Sequence, residues 1–194
     1  MEKKRKSTTK RKSIDVAKGL RAELVRLMSA SDAYAPMDDI LRDWPPALRG
    51  VTLPGLPYSA WQLLEHVRIA QWDILEFSRN PDHVSPNFPD GYWPQTQAPP
   101  SKSAWGKSVA QIRGDLRQMC ELVNDPSVDL LAPIPHASPA TLLREAMLIA
   151  KHNSYHLGQL VLLRRLLGAK PLSKAVGPYT APVIRLRWQR HPPR

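Results

Sequence analysis

Apolar residues recur every three or four positions in four long stretches of the chain, the spacing that lines them up on one face of an α-helix. In the first stretch, Ile14 to about Met28, the stripe is Val16, Leu20, Leu24 and Leu27. In the second, Ser59 to Asn80, it is Leu63, Val67, Ala70, Ile74 and Phe77, with His66 on its edge. Ser59 and Gln62 form a capping-box pattern at the start, and Pro81 disfavours helical geometry just after the end. The third stretch, Ser103 to Asn124, carries Val109, Ile112, Leu116, Met119 and Val123. The fourth begins at Ser138 or Thr141 and runs to Leu167, where Gly168 and then Pro171 stop it. Its apolar face includes Leu142, Ile149, Leu160, Leu163 and Leu167, and the same face carries His152 and His156. A short helix is expected from Met37 to Asp43, ahead of an irregular connection forced by Trp44-Pro-Pro and Pro54-Gly-Leu-Pro57.

Four long helices, no convincing strand and no repeat of 20 to 50 residues predict an all-α fold, a four-helix bundle with long Pro-rich connections. The connections after the first and second long helices each exceed 20 residues. They admit parallel neighbours, so an up-down-up-down order is not forced. Residues 81–102 hold Pro81, Pro86, Pro89, Pro94, Pro99 and Pro100 together with Phe88, Tyr92 and Trp93. A loop of that length is usually functional or disordered, and its aromatics favour packing onto the domain as a pocket wall. A second loop, Pro126 to Pro139, carries His136.

Composition adds limits. The 194 residues suffice for one domain with a core, and 42% hydrophobic and 23% charged residues fit an ordinary globular protein. The single cysteine, Cys120, excludes an intramolecular disulfide and a multi-cysteine zinc site, suits a reducing compartment, and reads as a small buried hydrophobe. The apolar run Leu160 to Leu163 is cut by Arg164 and Arg165, and no apolar run approaches a bilayer span. The basic N-terminus has no apolar segment behind it, unlike a secretory signal, so a cytoplasmic location is expected.

The net charge of +11 sits at the two ends. Residues 1–12 hold seven Lys/Arg against one Glu, and nine Lys/Arg but no acid follow Glu145. The expected division is a disordered basic arm over 1–12, the bundle over 13–169, and a basic Pro-rich tail over 170–194. Trp188 in that tail is expected to pack, at a place the sequence does not set. Basic ends can bind nucleic acid or anionic lipid through counterion release. A solubilising role is preferred, because no helix-turn-helix or other nucleic-acid motif is apparent.

His152 and His156 carry the chemistry. Four residues apart on a helix, they project from one face about one turn, roughly 6 Å, apart. As packing they are costly: two neutral imidazoles need two buried partners, and two charged ones repel. A divalent metal taking both lone pairs resolves this. Asn153 stands where a zinc-protease helix has Glu, so that class is excluded. A third ligand must come from elsewhere. His66 is the best candidate, being mid-helix beside a core stripe, and His136 is held in reserve at an open end of the bundle. His83 and His191 lie in a loop and in the tail. Three neutral nitrogens leave the metal its full charge and an open position for water or a thiolate. Zinc, nickel, copper and iron all suit such a set. Gln159, one turn after His156, is placed to orient it or to touch a ligand. Tyr155 is placed to line the site or to pack. Glu65 and Glu145 are candidate supporting acids, with surface solvation the expected state of both.

The segments Trp61-Gln-Leu-Leu-Glu65-His66-Val-Arg-Ile-Ala, Leu142-Leu143-Arg144-Glu145 and His152-Asn-Ser-Tyr-His156-Leu-Gly-Gln159-Leu-Val-Leu-Leu-Arg resemble the DinB-like (damage-inducible) superfamily over roughly residues 14–168. The resemblance implies a bundle of up-down-down-up order. It also implies a divalent metal, zinc or nickel before iron or copper, on a triad that maps to His66, His152 and His156. It implies homodimers, and it brings activities that include low-molecular-weight thiol transfer and a thiol-dependent isomerisation, in which the metal is thought to activate a thiolate. The position before the first of the paired histidines is commonly acidic in the family; here it is Lys151, so no acid role carries over to it. The expected function is therefore that of a metal-dependent transferase or hydrolase acting on a small molecule. The alternative is a non-catalytic stress-response or nucleic-acid-associated module with a structural metal.

Overall fold

The computed structural model describes residues 15–30, 35–169 and 172. The basic arm, Ile14, most of the tail, Trp188 and His191 lie outside these. Among the described residues there are five α-helices and no strand: α1 (Val16–Ser29), α2 (Met37–Leu41), α3 (Ala60–Arg79), α4 (Ala104–Asn124) and α5 (Leu142–Leu166). Short 3-10 turns at Pro46–Leu48 and Asp90–Tyr92 interrupt the connections. No described helix is long and apolar enough to cross a membrane.

The helix ends follow local chemistry. Ser59 and Gln62 close the full capping box on α3, side chain to backbone in both directions. Of the two candidate starts for α5, Thr141 is the cap, its hydroxyl accepting from the Arg144 N–H. At the other end Gly168 takes a left-handed φ of 68°, and the N–H groups of Gly168 and Ala169 donate to the carbonyls of Arg165 and Arg164. That is the reciprocal C-terminal lock a glycine makes possible. α2 stops at Leu41, two residues short of the expected Asp43, because Arg42 is already extended and Asp43 has a φ of 54°.

Two apolar clusters divide the bundle along its length and set the helix directions. The first contains Leu63 and Leu64 from the start of α3, Trp105, Val109 and Ile112 from the start of α4, and Leu157, Leu160 and Leu163 from the end of α5. The second contains Ile74 and Leu75, Met119 and Val123, and Leu142, Ala146 and Ile149, the opposite ends of the same helices, with Leu24 and Met28 of α1. So α3 and α4 run parallel, and α5 runs against both. Arg21 donates to the carbonyls of Val123 and Val128 at the far end, while Met28 lies beside Leu116, Asn153 and Leu157, so α1 runs with α5. The order is up-down-down-up. α3 packs on α4 and α5, and α1 packs on the same two.

Parallel α3 and α4 demand a connection that travels back the full helix length, about 30 Å for 20 residues. Residues 80–103 supply it. The segment returns along α3 and is pinned at the α3 start, where the Trp61 indole donates to Thr96 and the Ser59 hydroxyl donates to the Gln97 carbonyl. On the way it passes His66. Ser59 thus serves both the helix cap and the loop, and Ser59→Ala is expected to cost about 1–2 kcal/mol, read from urea denaturation.

Candidate metal centre

His66 lies early in α3, and His152 and His156 lie mid-helix in α5, which runs antiparallel to α3. One nitrogen from each ring falls within 4.8 Å of the others. His66 Nε2 and His152 Nε2 are 3.1 Å apart. Two nitrogens bound tetrahedrally to zinc at about 2.0–2.1 Å stand roughly 3.3 Å apart, so this spacing suits a shared ion. His156 is 7% exposed, and the other two are half-buried. The ring centroids lie 4.5 to 4.9 Å apart, mutually tilted, with no pair stacked face to face.

The outer nitrogens decide what the inner ones can do. His66 Nδ1 lies 2.9 Å from the Tyr92 carbonyl, which can only accept, so Nδ1 carries the proton and Nε2 keeps its lone pair. His156 Nδ1 lies 2.7 Å from Gln159 Oε1, which accepts its proton and leaves Nε2 with its lone pair. Imidazole ligands of metals are commonly fixed by such outer partners. The donor set therefore fits a divalent transition metal: neutral nitrogens, converging, with their tautomers held.

Burial pushes the His66 pKa down against the Tyr92 hydrogen bond, and pushes that of His156 down against Gln159. His152 is driven down to about 4, first by burial and then by the neighbouring His156 and His66, with Asn153 opposing. All three are neutral at pH 7, the state a metal requires. A stability consequence follows for protein stripped by a chelator. The unfolded chain takes up protons near pH 6.5, before the folded histidines do, so stability falls as pH drops. The decline is expected to run from about pH 6.5 to the His152 value of about 4 and then level off. Melting temperatures with chelator across pH 7.5 to 4 check this, and His152→Gln is expected to flatten the slope.

The loop forms the wall beside His66. Trp93 stacks on the His66 ring with centroids 4.1 Å apart and planes 7° apart, and Tyr58 stacks on Trp93 at 6.0 Å. Asp73 holds the loop, accepting from the Tyr92 hydroxyl at 2.7 Å and pairing with His83 at 2.8 Å. Burial and Asp73 push the Tyr92 phenol up to about 12. Tyr155 meets the His156 ring edge-on at 4.9 Å yet is largely exposed, so it stands at the rim.

Not every candidate joins the site. His136 bonds the Phe77 carbonyl instead, and Phe88 is exposed. Glu65 and Glu145, expected to be solvated, are both buried. Arg68 grips Glu65 through Nε and Nη2 at 2.9 and 2.8 Å, and Arg144 pairs with Glu145 in the first turn of α5. Each arginine reaches over its carboxylate from the surface, which permits the burial. One backbone atom and two side chains around the triad escape the sequence reading. The Tyr92 carbonyl is a backbone atom with no sequence signal. Gln71 and Asp73 are polar positions inside the apolar α3, and that mismatch was the available clue.

The family model of the DinB superfamily matches residues 15–160. The chain belongs to that superfamily, and its three clustered histidines are compatible with the metal binding general among its members. Comparison with curated proteins and with solved structures gave no significant match.

Proposed function

We propose that this member of the DinB superfamily holds one divalent transition metal on His66, His152 and His156 and works as a metal-dependent enzyme on a small-molecule substrate. Zinc and nickel suit the three imidazoles best, with iron or copper next. The single observation that carries the reading is the convergence of three neutral ring nitrogens, two of them with fixed tautomers. When bound, such an ion supplies Lewis acidity that lowers the pKa of a coordinated thiol or water.

The chain's own part is positional. Tyr92 and Gln159 hold two imidazoles in place. Trp93 and Tyr58 make an apolar wall that excludes water on the His66 side, and Tyr155 marks the rim. A low-molecular-weight thiol is the favoured co-substrate. Its sulfur would bond to an electrophilic carbon as the leaving group departs with the electron pair, the thiol proton passing to solvent. Along α5 the exposed Met147, Tyr155, Leu162 and Leu166 follow helical spacing, which supports a homodimer through that face.

The test is thiol transfer to 1-chloro-2,4-dinitrobenzene, with glutathione and cysteine as trial thiols, in protein purified without a His tag and loaded with zinc or nickel. Turnover abolished by chelator and restored by metal supports the reading. A second reading rests on the triad joining two helices through residues 86 apart in sequence, His66 and His152, so that a metal would act as a clamp. Chelation that unfolds the protein, with no turnover on any thiol or hydrolysis substrate, selects the clamp.

A further inference from the structure

Asn153 lies next to His152 and is only 5% exposed, as is expected of a residue in a packed core rather than of an amide. Its orientation is dictated from the far side of the bundle. The Ile112 carbonyl on α4 can only accept, and the Gln71 side chain bonds it at 2.6 Å, so Gln71 presents Nε2 there. Gln71 Oε1 then faces Asn153, which must present its own nitrogen, at 2.7 Å. Asn153 Oδ1 is left as a buried acceptor. It is one of three buried side-chain polar atoms without a hydrogen-bond partner among the described residues, and a second is His152 Nδ1.

The two orphans are complementary under one condition. His66 keeps its proton on Nδ1, so the 3.1 Å contact between Nε2 atoms needs the His152 proton on Nε2. His152 Nδ1 and Asn153 Oδ1 are then two acceptors with no donor between them. If Nε2 gives its lone pair to a metal ion, the neutral ring must carry its proton on Nδ1, and Asn153 Oδ1 becomes the acceptor it needs. Both atoms are buried without a partner on consecutive residues of α5.

We propose that Asn153 is a positioning residue for metal binding: it accepts the Nδ1 proton of His152 once Nε2 is ligated, and the Gln71–Ile112 link holds it ready. His152 changes tautomer on loading, releasing a proton from Nε2 and taking one at Nδ1, with no net change. The proposal rests on the three-histidine metal reading and completes it, since Tyr92 and Gln159 already serve the other two rings.

The experiment compares zinc affinity, by competition with a chromophoric chelator, in wild type, Asn153→Leu, Gln71→Met and the double variant. Asn153→Leu is expected to lose about 10–100-fold. Gln71→Met is expected to lose less, and the double variant no more than Asn153→Leu, because both act on one path. Nitrogen-15 spectra of zinc-loaded wild type are expected to show His152 protonated at Nδ1, in a slowly exchanging hydrogen bond. That measurement needs no variant and stands even if Asn153→Leu fails to fold. A folded Asn153→Leu with wild-type zinc affinity overturns the proposal, as does a rapidly exchanging Nδ1 proton in the zinc-loaded wild type. Wild type that binds no zinc overturns the metal reading itself, a separate and visible failure.

Discussion

His156→Ala is expected to lose the proposed metal, falling from about one equivalent per chain to below roughly a tenth, because two remaining imidazoles would not fill a site built on three protein ligands. The change removes a ring whose Nδ1 is held by Gln159 and which meets the His66 and His152 rings edge to face. Removing only an outer partner costs roughly 10–100-fold in affinity, so loss of a ligand itself is expected to exceed that. Gln159→Ala is therefore expected to fall between wild type and His156→Ala. α5 itself is expected to persist, since alanine is the best helix former and the flanking Leu157 and Leu160 stay buried. Elemental analysis after gel filtration, with circular dichroism as the fold control, checks this. A His156→Ala protein that keeps stoichiometric metal would place the ion elsewhere.

Trp44→Ala is expected to destabilise the fold by about 3–5 kcal/mol and to lower the melting temperature by roughly 6–20 °C at this chain length. Trp44 sits in the connection after α2, yet it is 1% exposed. Its indole N–H donates to the Ile40 carbonyl at 2.8 Å and its ring lies 5.7 Å from that of Trp105. The buried Arg164 guanidinium lies 5.6 Å above the ring and donates to the carbonyls of Ile40 and Arg42. Removing the indole empties the space between α2, α4 and α5 and strips Arg164 of one face of its packing. None of the triad contacts passes through Trp44, so the folded variant is expected to bind metal as wild type does. A melting temperature within 2 °C of wild type would show that this corner is not part of the cooperative core.

The contrast between these two residues explains what was legible. His156 could be picked out because its partner His152 is one helical turn away, and helix geometry alone puts both on one side. Trp44 reads as a loop residue beside two prolines; its burial depends on α4 and α5 arriving from 60 and 120 residues further on. Glu65 and Glu145 are buried against expectation for a related reason. A charged residue on a helix edge is solvated by default, and only the arginine that covers it makes burial tolerable.

The four long helices, the cap at Ser59 and the left-handed stop at Gly168 were determined by the sequence itself, because periodicity, capping and backbone preference act over a few residues, whereas the choice of Thr141 over Ser138 as the α5 cap came from the structure. The histidine pair was determined in the same way. Tertiary structure decided the rest. It made α3 and α4 parallel, which sent residues 80–103 back along α3 and set the Tyr92 carbonyl on His66 and the Trp93 ring over it. It brought His66 to within 3.1 Å of His152 and left His136 outside. It also ran the amide link from Ile112 through Gln71 to Asn153. These are contacts between segments far apart in the chain, fixed by how the helices pack and by which buried groups must find partners, and neither is written in the spacing of any one segment.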